Sequence, residues 1–262
     1  TDIDFTEMNS DLIGNFNKDF GTDFNLSGLA GINIRTEKRE RIIQSTSGGL
    51  AIPGLYAISN SVNTVPFPAE QLLEKQVNGY YASASLGYRN TYFLELTDRL
   101  DVSSTLPQGN NAYNYYSASA SYIFSNHLNA SWLRFGKLRF GYAEVGNDAP
   151  ALSVRDVYDR IDNFGSSVLT SVPTTKNNPD LRPERTKSWE AGLEMNTLQG
   201  RLGLDLTVYN VNTVDQILRV TQSLATGYGF RYVNAGNLTN KGVEVSLTGI
   251  PIQSNGLEWR MI

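Results

Sequence analysis

Residues 186–213 read TKSWEAGLEMNT, then LQG, then RLGLDLTVYNVNT. Trp189, Ala191, Leu193, Met195 and Thr197 alternate with Glu190, Gly192, Glu194 and Asn196. Beyond the turn, Leu202, Leu204, Leu206 and Val208 alternate with Arg201, Gly203, Asp205 and Thr207. A period of two over this length specifies two β-strands, each with one apolar and one polar face. With Gln199-Gly200 as a two-residue hairpin loop, Thr197 lies opposite Leu202, Met195 opposite Leu204, Leu193 opposite Leu206 and Ala191 opposite Val208. The apolar sets then share one face, as a correct register requires. Both strands exceed the usual globular length of about 5–6 residues. They match the roughly 9–11 residues of a tilted transmembrane barrel strand. A second sheet or lipid would each accept such a face, so the decision passes to the rest of the chain.

Working outward, Leu12 to Phe20 alternates weakly, with Lys18 on the apolar side, and Gly21-Thr22-Asp23 is a turn. A three-residue loop there sets Phe20 opposite Phe24 and joins the alternation of Phe24 to Arg35. Residues 36–77 break the pattern, with charge at 37–41 and then Gly, Ser, Asn and Pro through Pro68. Tyr80 to Tyr88 and Tyr92 to Leu96 alternate again, and only a three-residue loop, with Tyr88 opposite Tyr92, matches their faces. Strands follow at Tyr116–Phe124 and at Leu138–Tyr142, with a short helical turn expected near Ala130–Phe135 between them. Residues 146–185 read as a long loop holding a helix, with Val154, Val157, Tyr158 and Ile161 on one face and Ser153 as its N-cap. Residues 214–239 are a third long loop. The parity shift past Gly249 predicts a β-bulge, and Gln253–Gly256 a turn into a last strand. Short turns and long loops alternate along about ten strands. A sandwich has no reason to sort loop length by end, whereas a membrane barrel places short turns in the periplasm and long loops outside.

Composition agrees. The 262 residues carry a net charge of −4 and no Lys/Arg block, which argues against nucleic acid as a partner. Cysteine is absent, which argues against a zinc cluster or a disulfide scaffold. Mean hydropathy is below zero, and no apolar run approaches a transmembrane helix, which a barrel wall does not need. The 14 Tyr and 11 Phe suit interfacial aromatic girdles. The start at Thr1 and the end in a strand-like run lead us to expect a longer protein around this segment.

Several motifs resemble one superfamily. Asn178-Pro179-Asp180-Leu181-Arg182-Pro183-Glu184, then Ser188-Trp189-Glu190 and Gly192, resembles the NPxLxPE…WExG signature of TonB-dependent receptors. Leu138-Arg139-Phe140-Gly141 leading to Gly146-Asn147, Tyr209-Asn210 through Asp215–Leu218, and Asn234–Asn237 leading to Asn240–Glu244 resemble its SusC/RagA branch. The resemblance implies an all-β, transmembrane antiparallel β-barrel, about ten strands of a 22-stranded one, with residues 1–262 part of a single barrel domain. A plug domain would lie outside this segment. It further implies the outer membrane of a Gram-negative, Bacteroidetes-like cell, outer-membrane lipid around the barrel, and energised import through a TonB-type transducing protein. A SusD-like surface lipoprotein would serve as lid, and oligosaccharides or peptides as cargo. No catalysis, cofactor or metal is implied. The rivals are a passive porin-like barrel and a soluble glycan-binding β-sandwich.

Site candidates fall in two groups. Glu190, Glu194, Arg201, Asp205 and Glu244 are lumen-lining candidates: a cation or sugar-hydroxyl site, or simply a solvated channel wall. Tyr56, Tyr228, Phe230 and Tyr232 are loop candidates for contact with cargo or lid, and equally for loop-on-loop packing. Pro179 and Pro183 read as fixing an extended approach to the strand. Asp148, Asp156, Asp159 and Asp162 read as a solvated helix face rather than a calcium site. His127, the single histidine, reads as an exposed turn residue.

Overall fold

The computed structural model describes residues 1–128, 130–254 and 256–261. Ten long strands form one sheet: β1 (Asp2–Phe20), β2 (Phe24–Ile43), β3 (Ala69–Tyr88), β4 (Tyr92–Ser103), β5 (Ala112–Tyr122), β6 (Leu133–Asn147), β7 (Glu184–Thr197), β8 (Leu202–Val214), β9 (Asn237–Ser254) and β10 (Leu257–Met261). Each pairs antiparallel with the next, so the sheet is a pure meander. The expected registers hold: Phe20 faces Phe24, Tyr88 faces Tyr92, and Thr197, Met195, Leu193 and Ala191 face Leu202, Leu204, Leu206 and Val208. The register of β9 against β10 slips between Gly249 and Ile252, where the parity shift placed a bulge. The turn at 89–91 closes tightly because Arg89 and Asn90 take left-handed φ of 50° and 48°, a conformation Asn accepts readily.

Short and long connections sort to opposite ends. The tie at 123–132 falls on the short-turn end, where a 3₁₀ turn sits at Phe124–Asn126 rather than near Ala130–Phe135. Leu133 to Phe135 are instead the first residues of β6, drawn into the ladder by β7. His127 is an exposed turn residue beside Tyr122, as expected.

One pairing row runs through Phe24, Tyr88, Tyr92, Tyr122, Leu138, Leu193, Leu206 and Val245. The first two short turns close on that row, the β7–β8 turn closes four residues past it, and β9 runs nine residues past it. Allowing one residue for the bulge, at about 3.3 Å per residue and 4.8 Å per strand, the turns slip roughly 26 Å across about 38 Å of sheet. That is a strand tilt of about 35°, the geometry of an outer-membrane barrel.

The two faces divide as the alternation requires. Leu193, Leu204 and Leu206 are half-buried among ladder neighbours, and among the described residues no second layer packs over them. On the same face Leu96, Phe140 and Val245 are exposed. Near the short turns this face carries an aromatic row, with ring centroids 4.6 Å apart for Phe24–Tyr88 and 4.9 Å for Tyr92–Tyr122. Toward the long-loop end it carries Tyr116 and Tyr142, 5.8 Å apart, with Trp189 opposite Tyr142. Two girdles around an apolar band are what a bilayer selects. Asp98 breaks the band's neutrality; it accepts a hydrogen bond from Asn114 Nδ2 at 2.9 Å on the same face.

The loops hold more order than periodicity shows. The first is shorter than 36–77, because β2 extends to Ile43 and β3 begins at Ala69. With β1 and β3 on either side, the ladder continues through the charged residues 37–41 without an apolar face to sustain it. Residues 44–68 contain a small hairpin, Ser47–Leu50 with Ser61–Asn63. Residues 151–158 do not form the expected helix, and Asp159–Phe164 is a strand paired with Ser167–Ser171. Ser153 is buried and its hydroxyl donates to Pro150 O, so it caps nothing. The third long loop contains a hairpin, Ile217–Thr221 with Phe230–Asn234, and Thr175–Lys176 adds to it in parallel. Asn255, within the last turn, and the side chain of Asp162 lie outside the described residues.

Candidate functional site

The polar face of the sheet begins with the five wall candidates. Glu194 lies opposite Asp205 and Thr207 opposite Glu244, so Glu190, Glu194, Asp205 and Glu244 share that face on three adjacent strands. Arg201 sits apart from them at the β7–β8 turn, where its guanidinium donates to Ile250 O (3.1 Å) and Pro251 O (2.8 Å). The cation that does join the carboxylates is Arg139 of β6. It reaches across β7 and grips Asp205 of β8 with two hydrogen bonds of 3.1 and 2.7 Å, adding one to Thr207. Such a forked pair is the strong form of the interaction. The guanidinium passes over Gly192, where any Cβ would collide with it. The glycine of the Trp189-Glu190…Gly192 motif is therefore the seat of a side chain two strands wide. Gly242 plays the same part under the Tyr209 ring.

Beside this strap the polar face forms a shallow groove of about 540 Å³. Its floor is Ser117, Ser119, Gly141 and Ser188, and Glu190, Tyr209 and Glu244 stand around it. Farther along the same face, Arg99 bonds Asp101 at 2.8 Å, Tyr115 donates to Asp101, and Asn33 donates to Asn9 and Asp11 at 2.7 and 2.9 Å. Alternation placed Asn33 and Arg99 on the polar face; Asp101 lies two residues along Arg99's own strand, whereas Tyr115, Asn9 and Asp11 reach these groups from neighbouring strands and have no signal within one strand.

At the long-loop end the quoted motifs meet in a clamp. Leu181 is 0% exposed and packs with Leu106, Tyr113 and Ala149. Asn234 Oδ1 accepts from Arg182 N–H (2.8 Å), and its amide nitrogen donates to Arg182 O (2.7 Å) and Asp215 O (2.9 Å). Glu184 accepts from Ile217 N–H (2.6 Å) and from Asn147 Nδ2 (3.0 Å). Two loops distant in sequence thus become one body.

The loop aromatics divide. Tyr232 packs against the Leu181 core, while Phe230 is covered by the Arg219 guanidinium at 3.8 Å and Tyr228 by Lys176 Nζ at 4.9 Å. Tyr56 stands 90% exposed in the first loop. Asp156 is tied to Lys176 Nζ (2.6 Å) and Asn177 N–H (2.7 Å). Partial burial pushes its pKa up, but these two donors together outweigh it and hold the carboxyl below its ordinary value. Among the described residues no group of His, Cys, Asp or Glu forms a metal site.

A tilted meander with girdles, short turns at one end and clamped loops at the other defines the wall of an outer-membrane-type transmembrane barrel. Residues 2–261 match the family described as TonB dependent receptor-like, beta-barrel, and the chain belongs to it. This is a family of receptors and transporters, not of enzymes. The chain is 26% identical over 264 residues to TonB-dependent receptor P26 of Formosa agariphila, covering 94% of this chain and 26% of that protein. It is 26% identical over 192 residues to TonB-dependent receptor SusC of Bacteroides thetaiotaomicron, covering 69% of this chain and 19% of that one. Among solved structures it resembles the RagAB peptide importer in its closed-closed state, with a TM-score of 0.85, 20% identity, and coverage of 96% of this chain and 28% of that one. A ferric enterobactin receptor mutant from Pseudomonas aeruginosa matches with a TM-score of 0.63 at 16% identity, over 98% of this chain and 35% of that one. The chain spans about a quarter of the length of the curated relatives it matches.

Proposed function

We propose that this chain is part of the single barrel domain of an outer-membrane active importer, with the plug domain elsewhere in the complete protein. Its polar face, with Glu190, Glu194, Asp205 and Glu244, lines the lumen, and its apolar face meets lipid. A TonB-type protein supplies the energy, a SusD-like surface lipoprotein lids the extracellular mouth, and the cargo is an oligosaccharide or a peptide. Membership of the TonB-dependent receptor-like family along residues 2–261 carries the proposal. The names SusC and RagAB peptide importer among the similar proteins support the partner and the cargo classes. The clamp supports it as well, because a rim of fixed loops offers a lid a defined surface.

The test is uptake of labelled oligosaccharides and peptides by cells with and without the complete gene. Uptake that needs the gene and stops when the proton-motive force is collapsed is the expected outcome. Uptake that continues undiminished without that force would identify a passive pore and end the proposal.

A further inference from the structure

The ribbon β1–β3 stands taller than its neighbours. Its strands have 19, 20 and 20 residues, against 12 and 11 in β4 and β5. Ile43 of β2 lies nineteen residues above Phe24, which belongs to the aromatic row, and Ala69 of β3 lies nineteen above Tyr88. At about 3.3 Å per residue and a tilt near 35°, the ribbon reaches roughly 50 Å above that row, against an apolar band of about 25 Å. Its upper half therefore stands clear of the membrane at the long-loop end.

The two faces of that upper half carry opposite charge. On the outward face Asp2, Asp4, Glu40, Glu70 and Glu74 stand around Lys38. On the inward face one pairing row holds Glu7, Glu37 and Lys75. Glu37 pairs with Arg35 at 3.2 Å, and Lys75 with Asp148 at 2.9 Å. The next two rows up hold Phe5, Arg39 and Leu73, then Ile3, Arg41 and Gln71. They contain two cations and no carboxylate. Arg39 is exposed, while Arg41 Nε is shielded from water and has no acceptor among the described residues. A shielded donor without a partner is costly, and two guanidiniums on one face repel each other, so a ligand that brings acceptors and negative charge is favoured there.

We infer that these two rows form an entry subsite for an acidic peptide bound in extended conformation. Arg39 and Arg41 are two residues apart on one strand face, about 6.6 Å. Alternate side chains of an extended peptide repeat at the same distance, so acidic residues at every second position each meet one guanidinium. Phe5 and Leu73 flank Arg39 and lower the local dielectric, which strengthens the contact. The charges of an oligosaccharide repeat with its sugar rings instead and have no such match. The acidic outward face repels the same peptide, which directs capture to the lumen side. This cargo class lies within the import function proposed above and depends on that reading.

The complete protein in detergent is titrated with a short labelled peptide that alternates threonine and glutamate, and fluorescence anisotropy gives the affinity. Comparison ligands are the peptide with glutamine for glutamate, a peptide of the same composition with its glutamates in one block, and an oligogalacturonate. The double variant Arg39→Gln/Arg41→Gln is expected to bind the alternating peptide about tenfold more weakly, and the wild type to bind the glutamine peptide about tenfold more weakly. The block peptide, at equal charge, is expected to bind the wild type about threefold more weakly. Lys38→Gln, on the outward face, is expected to change nothing. Equal binding by the double variant, an equal loss in Lys38→Gln, or equal affinity for the block peptide overturns the inference. Oligogalacturonate that binds as tightly as the peptide, with the same loss in the double variant, would assign the rows to an anionic glycan and overturn it too. Retention of the heat-modifiable gel band shows that the double variant is folded. Uptake indifferent to the proton-motive force would end the import reading while leaving this binding intact. Energised import of cargo by a protein that binds acidic and neutral peptides alike would end the subsite alone.

Discussion

The wall and the rim of this molecule are held by different physics. In the wall, long ladders run between neighbours, almost every side chain is at least partly exposed, and the apolar face is completed by whatever surrounds it. In the rim, Leu181 is fully buried and single side chains such as Asn234 hold two loops at once. A wall spreads its stability over many equivalent contacts, whereas a rim concentrates it in a few. The two regions therefore differ in what one substitution does.

The largest effect is expected for Leu181→Ala in the complete protein. Truncating a fully buried leucine costs about 2–5 kcal/mol, depending on how far the site collapses. Hydrogen exchange is expected to show lost protection in residues 178–184 and 215–236, with β7 and β8 still protected. If rim and wall lost protection together, the two would be one cooperative unit and the comparison would break.

Next comes a pair of neighbours on opposite faces of β4. Leu96 is 49% exposed on the apolar face, and Glu95 is exposed on the polar one. Leu96→Arg places a cation about 11 Å above the aromatic row and is expected to cost roughly 2–4 kcal/mol of folding stability in bilayers. Glu95→Arg is expected to stay within about 0.5 kcal/mol, as ordinary surface changes do. Equal costs in a refolding titration would mean that the faces do not meet different solvents.

Gly192→Val sharpens the picture within the wall. Its side chain would occupy the path of Arg139 toward Asp205. Overpacking of this kind costs about 1–3 kcal/mol. In the Arg139→Ala background the path is empty and most of the cost is expected to vanish. A double-mutant cycle reads this coupling directly; additive costs would show that the glycine is needed for some other reason.

The wall was legible in advance because a period of two and a turn length fix a register. Tyr88 against Tyr92 and Thr197 against Leu202 required nothing else. The Arg139–Asp205 strap was not legible, since it skips the strand between and no single hairpin contains it. The loops were misread where spacing imitated a helix. Val154 packs against the rim core, whereas Val157 and Tyr158 face outward at 65% and 72% exposure, so the three never shared a face. Leu181 belongs to a motif, but its burial comes from Leu106 on another connection, Tyr113 on β5 and Ala149, which lies 32 residues earlier in its own loop. Periodicity reports the neighbours of a ladder and is silent about contacts between loops.

The smallest effect separates the clamp from its periphery. The Asp156–Lys176 tether is a loop contact with both side chains partly exposed, at 32% and 49%. Asp156 has its pKa held below the ordinary 3.8, because hydrogen bonds from Lys176 and Asn177 outweigh partial burial. The tether's contribution is therefore complete above about pH 4 and fades as acidification carries the pH through the lowered value. Lys176 is shifted upward and keeps its charge throughout that range. Protease cleavage within residues 150–176 is thus expected to rise modestly below pH 4 in the wild type. In Asp156→Asn the rate is expected to start slightly higher at pH 7 and to respond little to acid. The Leu181 core, whose one ionisable side chain among Leu106, Tyr113 and Ala149 is a phenol that stays neutral in acid, is expected to resist over the same range. An acid response of residues 178–184 as large as that of 150–176 would place the tether inside the clamp and move the boundary between the two outward.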